Sequence, residues 1–283
     1  MDEQNMDILE RIHSSYYQLT VTEKRVADFV LNHSDRVQFM SITQLAEECG
    51  TAEATISRFC RSLKLKGFNA FKLELARHSS TAAVQKEAAH PTDTLLGRCR
   101  EMGRLSAEAI SQTIELVEEA QVEKAVSLIE KAPHVMCIGS GGSMIMAHDC
   151  AHQFSTVTPK VYAVYDAHMQ MAACATMGVD DIIILFSYSG ATTGGIQILE
   201  LAKQRGIKTI LVTRFLKSPA AKLADVVLRC GSNEGPFQFG SVPAKVAQLM
   251  VIDILFQEYA RRNPDASQEN VQQIASALSD MHV

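Results

Sequence analysis

Serine and threonine hydroxyls cluster within one short stretch of the chain, residues 187–192, which reads Ser-Tyr-Ser-Gly-Ala-Thr. The stretch follows an apolar run typical of a buried strand and precedes an amphipathic helical pattern at 195–205. Ser187, Ser189 and Thr192 therefore lie in a predicted strand-to-helix turn, where unpaired backbone N–H groups and the helix dipole attract an anion. Each hydroxyl can donate a hydrogen bond to a phosphate oxygen, so the stretch predicts a phosphate site.

No lysine or arginine lies within this stretch, whereas a nucleotide-binding P-loop ends in Gly-Lys-Ser/Thr. The expected ligand is therefore a single phosphate on a small molecule. A Ser/Gly turn that only caps a helix is the alternative at this point. The sequence around Ser189 also lacks the Gly-x-Ser-x-Gly elbow, which disfavours a Ser/His/Asp hydrolase.

The second half of the chain alternates short apolar runs with helical patterns. Strands are predicted at 135–138, 161–164, 182–186, 209–212 and 226–228, and helices at 144–156, 167–177, 195–205 and 218–224. This alternation predicts a flavodoxin-like parallel sheet inside a three-layer α/β sandwich, with ligands at the carboxyl ends of the strands. A second loop, Gly-Ser-Gly-Gly-Ser at 139–143, follows the first strand, so the two serine-rich loops could converge on one ligand.

A dinucleotide-binding loop is the main rival for residues 139–143. That fingerprint requires Gly-x-Gly-x-x-Gly, and its third glycine position is occupied by Met144 in this chain. The acidic residue expected at the end of the second strand does not occur until Asp166. We therefore favour a phosphate site without a dinucleotide and predict no cofactor.

Length and composition favour two globular domains. A chain of 283 residues is long for a single domain, and its 47% hydrophobic and 21% charged residues are typical of a protein with a sizeable core. The net charge of −5 excludes a generally basic nucleic-acid binder, but it allows a local basic surface.

Cysteine usage and the absence of long apolar runs predict a cytoplasmic location. The seven cysteines are scattered and form no Cys-x-x-Cys pair, which favours reduced thiols over a disulfide framework or a zinc site. The first five residues are acidic and no hydrophobic segment follows them, so we expect no secretory signal. No apolar run approaches the roughly 20 residues that span a bilayer. We expect no membrane partner and no bound metal.

The first eighty residues carry only helical patterns. Thr22 is the predicted N-cap of one helix, and residues 41–50 predict a short helix that ends at Gly50, which suits the left-handed position after a helix. A further helix follows at 52–63. Two helices joined by a tight glycine turn are typical of a helix-turn-helix motif.

The helix at 52–63 divides into an apolar and a polar face. The apolar stripe consists of Ile56, Phe59, Cys60 and Leu63, and the polar side of Thr55, Ser57, Arg58, Arg61 and Ser62. Residues 58–77 contain six basic residues against one acid, whereas the rest of residues 1–80 contains four basic residues and ten acids. Positive charge is therefore confined to one region of an otherwise acidic segment.

This charge pattern predicts DNA binding, with a solvated surface helix as the alternative. In helix-turn-helix proteins the first residues of the second helix meet base edges, and flanking cations hold phosphates. The candidates for DNA contact are Thr43, Thr51, Glu53, Ala54, Thr55, Ser57, Arg58, Arg61, Lys64 and Lys66.

A linker and a long helix are predicted between the two halves. Residues 79–92 lack an apolar stripe and contain Pro91, and residues 93–117 carry a helical pattern that is a candidate dimer contact. The predicted organisation is a helix-turn-helix domain at 1–79, a linker and connecting helix at 80–121, and an α/β domain at 122–283.

These motifs resemble those of a known family over nearly the whole chain. The second half resembles a sugar isomerase (SIS) domain through residues 187–192 and 139–143. The first half resembles the helix-turn-helix domain of RpiR-type bacterial regulators through residues 22–27, 52–59 and 65–72.

The resemblance implies a transcription factor that responds to a phosphosugar and has no enzymatic activity. It implies double-stranded operator DNA and a phosphorylated sugar as partners, control of carbohydrate or amino-sugar metabolism genes, and a homodimer or homotetramer. The effector-binding residues that it implies are Ser140, Ser143, Ser187, Ser189 and Thr192, with Glu234 and Lys245 as further effector contacts.

An aldose–ketose phosphosugar isomerase is the alternative from another class. Isomerisation needs a base near C1 or C2 and an acid for the oxygen, for which Glu234, His168, His148 and His152 are candidates. The histidines at 148 and 152 would share a helix face and could form a metal pair, although a surface position is favoured. An isomerase has no need of a helix-turn-helix, which favours the regulator. A sugar-phosphate sensor that acts only through protein contacts is a third hypothesis.

Overall fold

The computed structural model describes residues 7–84, 94–232 and 241–279. Within them the chain forms two compact units. The described residues up to Glu101 form the first unit, and Met102–Ser232 together with the residues from 241 onward form the second.

The described part of the first unit is helical. Its helices are α1 (Ile8–Ser15), α2 (Val21–Asn32), α3 (Ser34–Val37), α4 (Ile42–Glu48), α5 (Glu53–Ser62) and α6 (Phe68–Val84). Their apolar faces meet in one core, where the rings of Phe59 and Phe71 pack edge to face at 5.5 Å. The first six residues of the predicted linker belong to α6, and residues 85–92 lie outside the described residues.

The predicted helix-turn-helix pair is formed by α4 and α5. Ser41 and Gln44 begin α4 with a capping box, because each side chain accepts a hydrogen bond from the other residue's backbone N–H. Gly50 adopts φ +60° after α4, as predicted, and α5 begins three residues later. The predicted apolar stripe of α5 is buried, and burial raises the pKa of the Cys60 thiol to about 12, so this cysteine remains a neutral core group.

The N-cap of α2 is Thr20, so the prediction of Thr22 is wrong. The Thr20 hydroxyl accepts a hydrogen bond from the Glu23 backbone N–H at 3.4 Å, and the Thr20 N–H donates to Glu23 Oε2 at 2.9 Å. Thr22 lies inside the first helical turn, where its own N–H is one of the groups that a cap must satisfy. The sequence pattern Thr-x-x-Glu fits the capping box at Thr20 alone.

Helix α7 (Leu95–Glu115) belongs to both units, and the second unit continues with α8 (Glu119–Lys131) and five strands. The strands are β1 (Val135–Gly139), β2 (Val161–Ala163), β3 (Ile182–Phe186), β4 (Lys208–Thr213) and β5 (Val226–Arg229). All pairings are parallel and the order is β2-β1-β3-β4-β5, which confirms the predicted flavodoxin-like sheet.

Helices cover both faces of this sheet. The helices that the structure describes after α8 are α9 (Gly142–Ser155), α10 (Ala167–Thr176), α11 (Thr193–Arg205), α12 (Val242–Arg262) and α13 (Pro264–Leu278). One core joins the sheet to α8, α9 and α12, and a second core joins it to α10 and α11. The three layers were predicted, whereas the bounds of α12 and α13 were not. Of the helices in the described part of the chain, none is long and apolar enough to cross a bilayer.

The prediction of a helix at 218–224 is wrong. This segment consists of consecutive turns. The Ala220 N–H donates to the carbonyl of Gly190 at 2.9 Å, which ties the segment to the loop after β3. This bond joins residues that lie 30 positions apart in the chain, so it has no signature in the local sequence.

We predict that Glu23→Gln destabilises the helical unit by about 1–2 kcal/mol at pH 7, because hydrogen bonds to a charged acceptor are stronger than those to a neutral one. Burial alone would raise the pKa of Glu23, but hydrogen bonds from Thr20 and Ser62 and the charge of Arg58 outweigh it and hold the pKa below its ordinary value. The extra stability of wild type over Glu23→Gln is therefore present above the unfolded-state pKa of Glu23, and it is lost as the pH falls through the lower folded-state pKa.

Native-state amide exchange of α2 and α5 against urea, at pH 7 and near pH 4, measures this difference within the helical unit. Glu10→Gln is the control, because Glu10 is exposed on α1. A Glu23→Gln defect that is equal at both pH values would contradict the role of the charged carboxylate.

Candidate functional site

The loop between β3 and α11 carries the first set of predicted site residues. The Ser187 N–H donates to the Val212 carbonyl at 3.0 Å, which holds the start of the loop on the neighbouring strand. The hydroxyl oxygens of Ser187 and Thr192 lie 3.5 Å apart, and the Ser189 hydroxyl accepts from the Ala191 N–H at 3.2 Å. The predicted hydroxyls thus lie on one compact turn.

Gly190 allows this turn to close. Its φ is +59°, and a Cβ added there would lie 2.0 Å from the Ser218 Oγ. The Gly190 N–H also donates to the Ser187 carbonyl at 3.0 Å. A side chain is therefore excluded both by the backbone conformation and by the segment that follows β4.

The loop between β1 and α9 lies beside the first loop, because β1 and β3 are hydrogen-bonded neighbours and Gly139 pairs with Phe186. A Cβ at Gly139 would lie 2.7 Å from the Ser143 carbonyl oxygen, so this loop also needs glycine. Ser140 is exposed and Ser143 half-buried. The structure therefore brings both predicted serine loops to one edge of the sheet.

Two helices begin at this edge without a side-chain cap. Gly141, the N-cap of α9, has no side chain, and Thr192, the N-cap of α11, makes no capping hydrogen bond with its hydroxyl. By contrast, Asp166 caps α10, and its carboxylate accepts from the Met169 N–H at 3.0 Å. The start of α11 thus suits an anion. The start of α9 suits one too, although the N–H groups of Ser143 and Met144 also donate to the carbonyls of Ser140 at 3.2 Å and Gly141 at 3.0 Å. The start of α10 already faces the Asp166 carboxylate.

Gln170 is a buried residue that sequence reasoning missed. Its side-chain amide donates to the carbonyls of Gly139 at 3.0 Å and Val164 at 2.9 Å, and so it joins the ends of β1 and β2. A polar side chain among apolar residues of α10 was its only signal.

Met144 occupies the third glycine position of a dinucleotide loop and is buried in the core. The loop therefore has no glycine at the position where a pyrophosphate would approach closely.

Lys245 lies on the first turn of α12, and contacts of α12 show which way this helix runs. Gln153 near the end of α9 donates to Asp253 at 3.1 Å, and Asn263 after α12 donates to Glu130, five residues before β1, at 3.0 Å. The last turns of α12 therefore lie at the amino edge of the sheet. Lys245, eight residues before Asp253, lies about 12 Å further toward the carboxyl edge. Glu234 lies outside the described residues.

The histidines of the isomerase hypothesis are exposed. His148 and His152 lie on α9, and His168 is the second residue of α10. The part of the chain that the structure describes contains no group of three or more His, Cys, Asp or Glu residues that could hold a metal ion.

The predicted DNA-contact residues divide by exposure. The exposed ones are Ala54, Arg58, Arg61, Lys64 and Lys66, and the half-buried ones are Thr51, Glu53 and Ser57. Thr43 and Thr55 are buried, so the exposed position expected for Thr55 is wrong.

The two buried threonines orient charged neighbours. The Thr43 hydroxyl donates to Glu53 Oε1 at 2.7 Å, and Arg58 Nη2 donates to the Thr55 hydroxyl at 3.1 Å. Thr55 faces inward because helical spacing places it beside Phe59 on the buried side of α5. Contact of the ten residues with DNA stays a prediction.

Comparison with known proteins agrees with this architecture. Residues 6–82 match the helix-turn-helix domain of the rpiR family, and residues 128–257 match the SIS domain. The chain is 30% identical over 282 residues to an uncharacterized HTH-type transcriptional regulator of Haemophilus influenzae, with 98% of each chain covered. It is 31% identical over 251 residues to another such regulator, from Caldanaerobacter subterraneus, with 88% of this chain and 89% of that one covered.

Among solved structures, the NanR protein of Vibrio vulnificus complexed with ManNAc-6P gives a TM-score of 0.88 at 25% identity, covering 98% of this chain and 100% of that one. The two domains define the class of protein, in which a helix-turn-helix domain precedes a SIS domain. This chain belongs to the rpiR family of helix-turn-helix transcriptional regulators.

We predict that Gly190→Ala destabilises the second unit by about 2–4 kcal/mol. This is the sum of the cost of holding alanine at a left-handed φ and the cost of overpacking its methyl group against Ser218. Gly194→Ala is the matched control, because Gly194 lies in the first turn of α11 and a methyl group added there would have nothing within 4 Å. We expect this variant to be as stable as wild type or up to about 1 kcal/mol more stable, because alanine restricts the unfolded chain. Urea unfolding followed by circular dichroism compares the two, and equal midpoints would show that Ser218 can move aside.

Proposed function

We propose that the second unit binds a phosphorylated sugar at the two serine loops and that this ligand changes the affinity of the first unit for operator DNA. The observation that carries the proposal is the pair of uncapped helix starts on neighbouring strands, with serine and threonine hydroxyls beside them. Ser140, Ser143, Ser187, Ser189 and Thr192 are the proposed phosphate ligands. The ManNAc-6P complex of NanR supports a ligand of this class.

The sugar ring needs contacts beyond the phosphate. We propose Lys245 for one of them, since α12 brings its first turn toward the same edge of the sheet and a lysine can donate to sugar hydroxyls. Glu234 is the second proposed contact from the sequence.

Operator binding is assigned to the exposed face of α5 and to the basic residues after it. Arg58 and Arg61 are exposed on α5, and Lys64 and Lys66 are exposed just beyond its end. We propose that these four cations contact DNA phosphates, and that Ala54 and Ser57 face base edges in the major groove. A regulator that acts on bacterial DNA works in the cytoplasm.

We propose that the protein acts as a homodimer or homotetramer and not as an enzyme. Helix α7 exposes Leu105, Ile110 and Ile114, and Val117 is exposed two residues beyond its end, so this helix carries apolar side chains that a second copy would cover. In a dimer, two recognition helices must match half-sites about 34 Å apart or a multiple of that distance. A phosphosugar that shifts the packing of two SIS domains would change this spacing. The isomerase remains the second candidate.

The decisive experiment measures binding to the DNA upstream of the protein's own gene, at fixed salt, across a panel of sugar phosphates and their unphosphorylated parents. ManNAc-6P and ManNAc form the first pair. We expect one phosphosugar to change the DNA affinity about 5- to 150-fold and its parent to have no effect. Conversion of a phosphosugar without any DNA binding would support the isomerase instead.

We predict that Ser189→Ala lowers phosphosugar affinity about 10- to 100-fold, because a hydrogen bond to a charged phosphate oxygen is lost. Affinity for DNA without the sugar should remain within about threefold of wild type, because Ser189 lies in the second unit. Calorimetric titration and DNA binding measure the two effects. Ser155→Ala at the exposed end of α9 is the control. Loss of DNA binding in Ser189→Ala would contradict the separation of the two roles.

We predict that Arg58→Ala weakens DNA binding and reduces the slope of log affinity against log salt by about one, the value for one released counterion. The control is Arg261→Ala, since Arg261 is exposed on α12 in the second unit. Binding measured from 50 to 200 mM salt gives the slope. An unchanged slope would remove Arg58 from the phosphate contacts.

A further inference from the structure

The serine loop after β3 is hydrogen-bonded to the segment after β5. The Tyr188 hydroxyl donates to the Ser232 carbonyl at 2.9 Å, and its ring packs edge to face against Phe215 at 6.0 Å. Arg214 Nε donates to the same carbonyl at 2.9 Å, and the Arg214 N–H donates to the Tyr188 carbonyl at 3.0 Å. The position of Ser232 is therefore set by the loop that carries Ser187 and Ser189.

The same segment is also bonded to α7. The Ser232 N–H donates to Gln112 Oε1 at 3.1 Å, and the Gly231 N–H donates to the Thr113 hydroxyl at 2.9 Å. A Cβ at Gly231 would lie 2.7 Å from the Ala109 carbonyl oxygen, so the two backbones are in direct contact. Thr113 is fully buried, and its own hydroxyl donates to Ala109 within the helix. Movement of residues 231–232 therefore acts directly on α7.

Ser232 has a strained backbone. Its φ is +81°, although it is not a glycine and is 5% exposed. A serine with a positive φ persists only where its surroundings fix its conformation. Here the hydrogen bonds with Tyr188, Arg214 and Gln112 do so. Such strain is typical of segments that change conformation with function.

We infer that Tyr188 and Gln112 are positioning residues that couple occupancy of the serine loop to α7, with residues 231–232 between them. Helix α7 begins at Leu95 in the first unit and ends at Glu115 in the second, so it is continuous across the division between the two units. The inference rests on the proposed function and assigns its regulation to named groups. A ligand that tightens residues 187–192 shifts Tyr188, then Ser232, and finally the turn of α7 that contains Gln112.

The test uses the full-length protein, ManNAc-6P or whichever panel phosphosugar the wild type binds, and the DNA upstream of the gene. Gln112→Leu removes the acceptor for Ser232 in a side chain of similar size. Gln112→Glu keeps an acceptor oxygen and is made together with Glu108→Gln, because the Gln112 side-chain amide donates to Glu108 Oε1 at 3.0 Å and two adjacent carboxylates would repel each other. We expect Gln112→Leu to bind the phosphosugar within about threefold of wild type. The change in DNA affinity at saturating phosphosugar should shrink about fivefold, the equivalent of one hydrogen bond. Gln112→Glu should restore most of that change.

Tyr188→Phe tests the other end of the same route, with saturation established for that variant separately. We expect a similar loss of coupling, and none in Tyr162→Phe on the edge strand β2. Hydrogen exchange of the α7 amides from 105 to 115 provides an independent readout. The phosphosugar should change their exchange in wild type and in Gln112→Glu, but much less in Gln112→Leu.

Two results would overturn the inference, and they are distinguishable from each other. If Gln112→Leu and Tyr188→Phe bind the phosphosugar and show full wild-type coupling, the effect does not pass through residues 231–232. If the wild type binds no sugar phosphate in the panel, the proposed function fails and this inference fails with it.

Discussion

The parallel pairing of β1 with β3 is the constraint on which the site depends. It places Gly139 opposite Phe186, so the two loops that leave these strands and the two helices that follow begin side by side. The order of the strands puts β1 and β3 at the point where the chain reverses direction across the sheet, with β2 on one side and β4 on the other. Ligands of open parallel sheets bind at such a point because the loops there diverge and leave a crevice.

Glycine is required where each of the two loops packs against a neighbouring segment. At Gly139 and Gly190 a methyl group would meet atoms at 2.7 Å and 2.0 Å, while Gly194 has open space around it. The first two glycines are therefore needed for the loops to close, and they bring backbone amides and hydroxyls to the surface of the sheet edge. The hydroxyls of the loops account for the difference from a nucleotide site. Phosphate recognition by hydroxyls and helix amides needs no lysine in the loop, and none is present.

Much of the fold could be predicted from the sequence, since buried parallel strands are continuous apolar runs and the loops carry their own glycines and serines. What the sequence left open depends on long-range contacts. The turns at 218–224 are tied to the loop after β3 by the bond from Ala220 to Gly190, and Thr55 is buried because it lies on the same side of α5 as the core residue Phe59. Gln170 showed only a polar side chain among apolar ones and the strained Ser232 showed no local pattern, because each makes a hydrogen bond to a distant residue, 31 and 120 positions away respectively. Local periodicity predicts elements, but it does not predict which loops bind one another.

Coupling between the two proposed ligands must be reciprocal. If a phosphosugar changes the affinity for DNA by a given factor, DNA changes the affinity for the phosphosugar by the same factor, whichever sign the effect has. The buried threonines of the first unit bear on this factor, because Thr43 and Thr55 hold Glu53 and Arg58 in place before DNA arrives. If the side chains of a recognition helix are already oriented, they lose little conformational freedom on binding DNA. The free-energy cost of ordering them is therefore small. The free energy that the proposed effector supplies would then act mainly on the position of this helix and not on the arrangement of side chains within it.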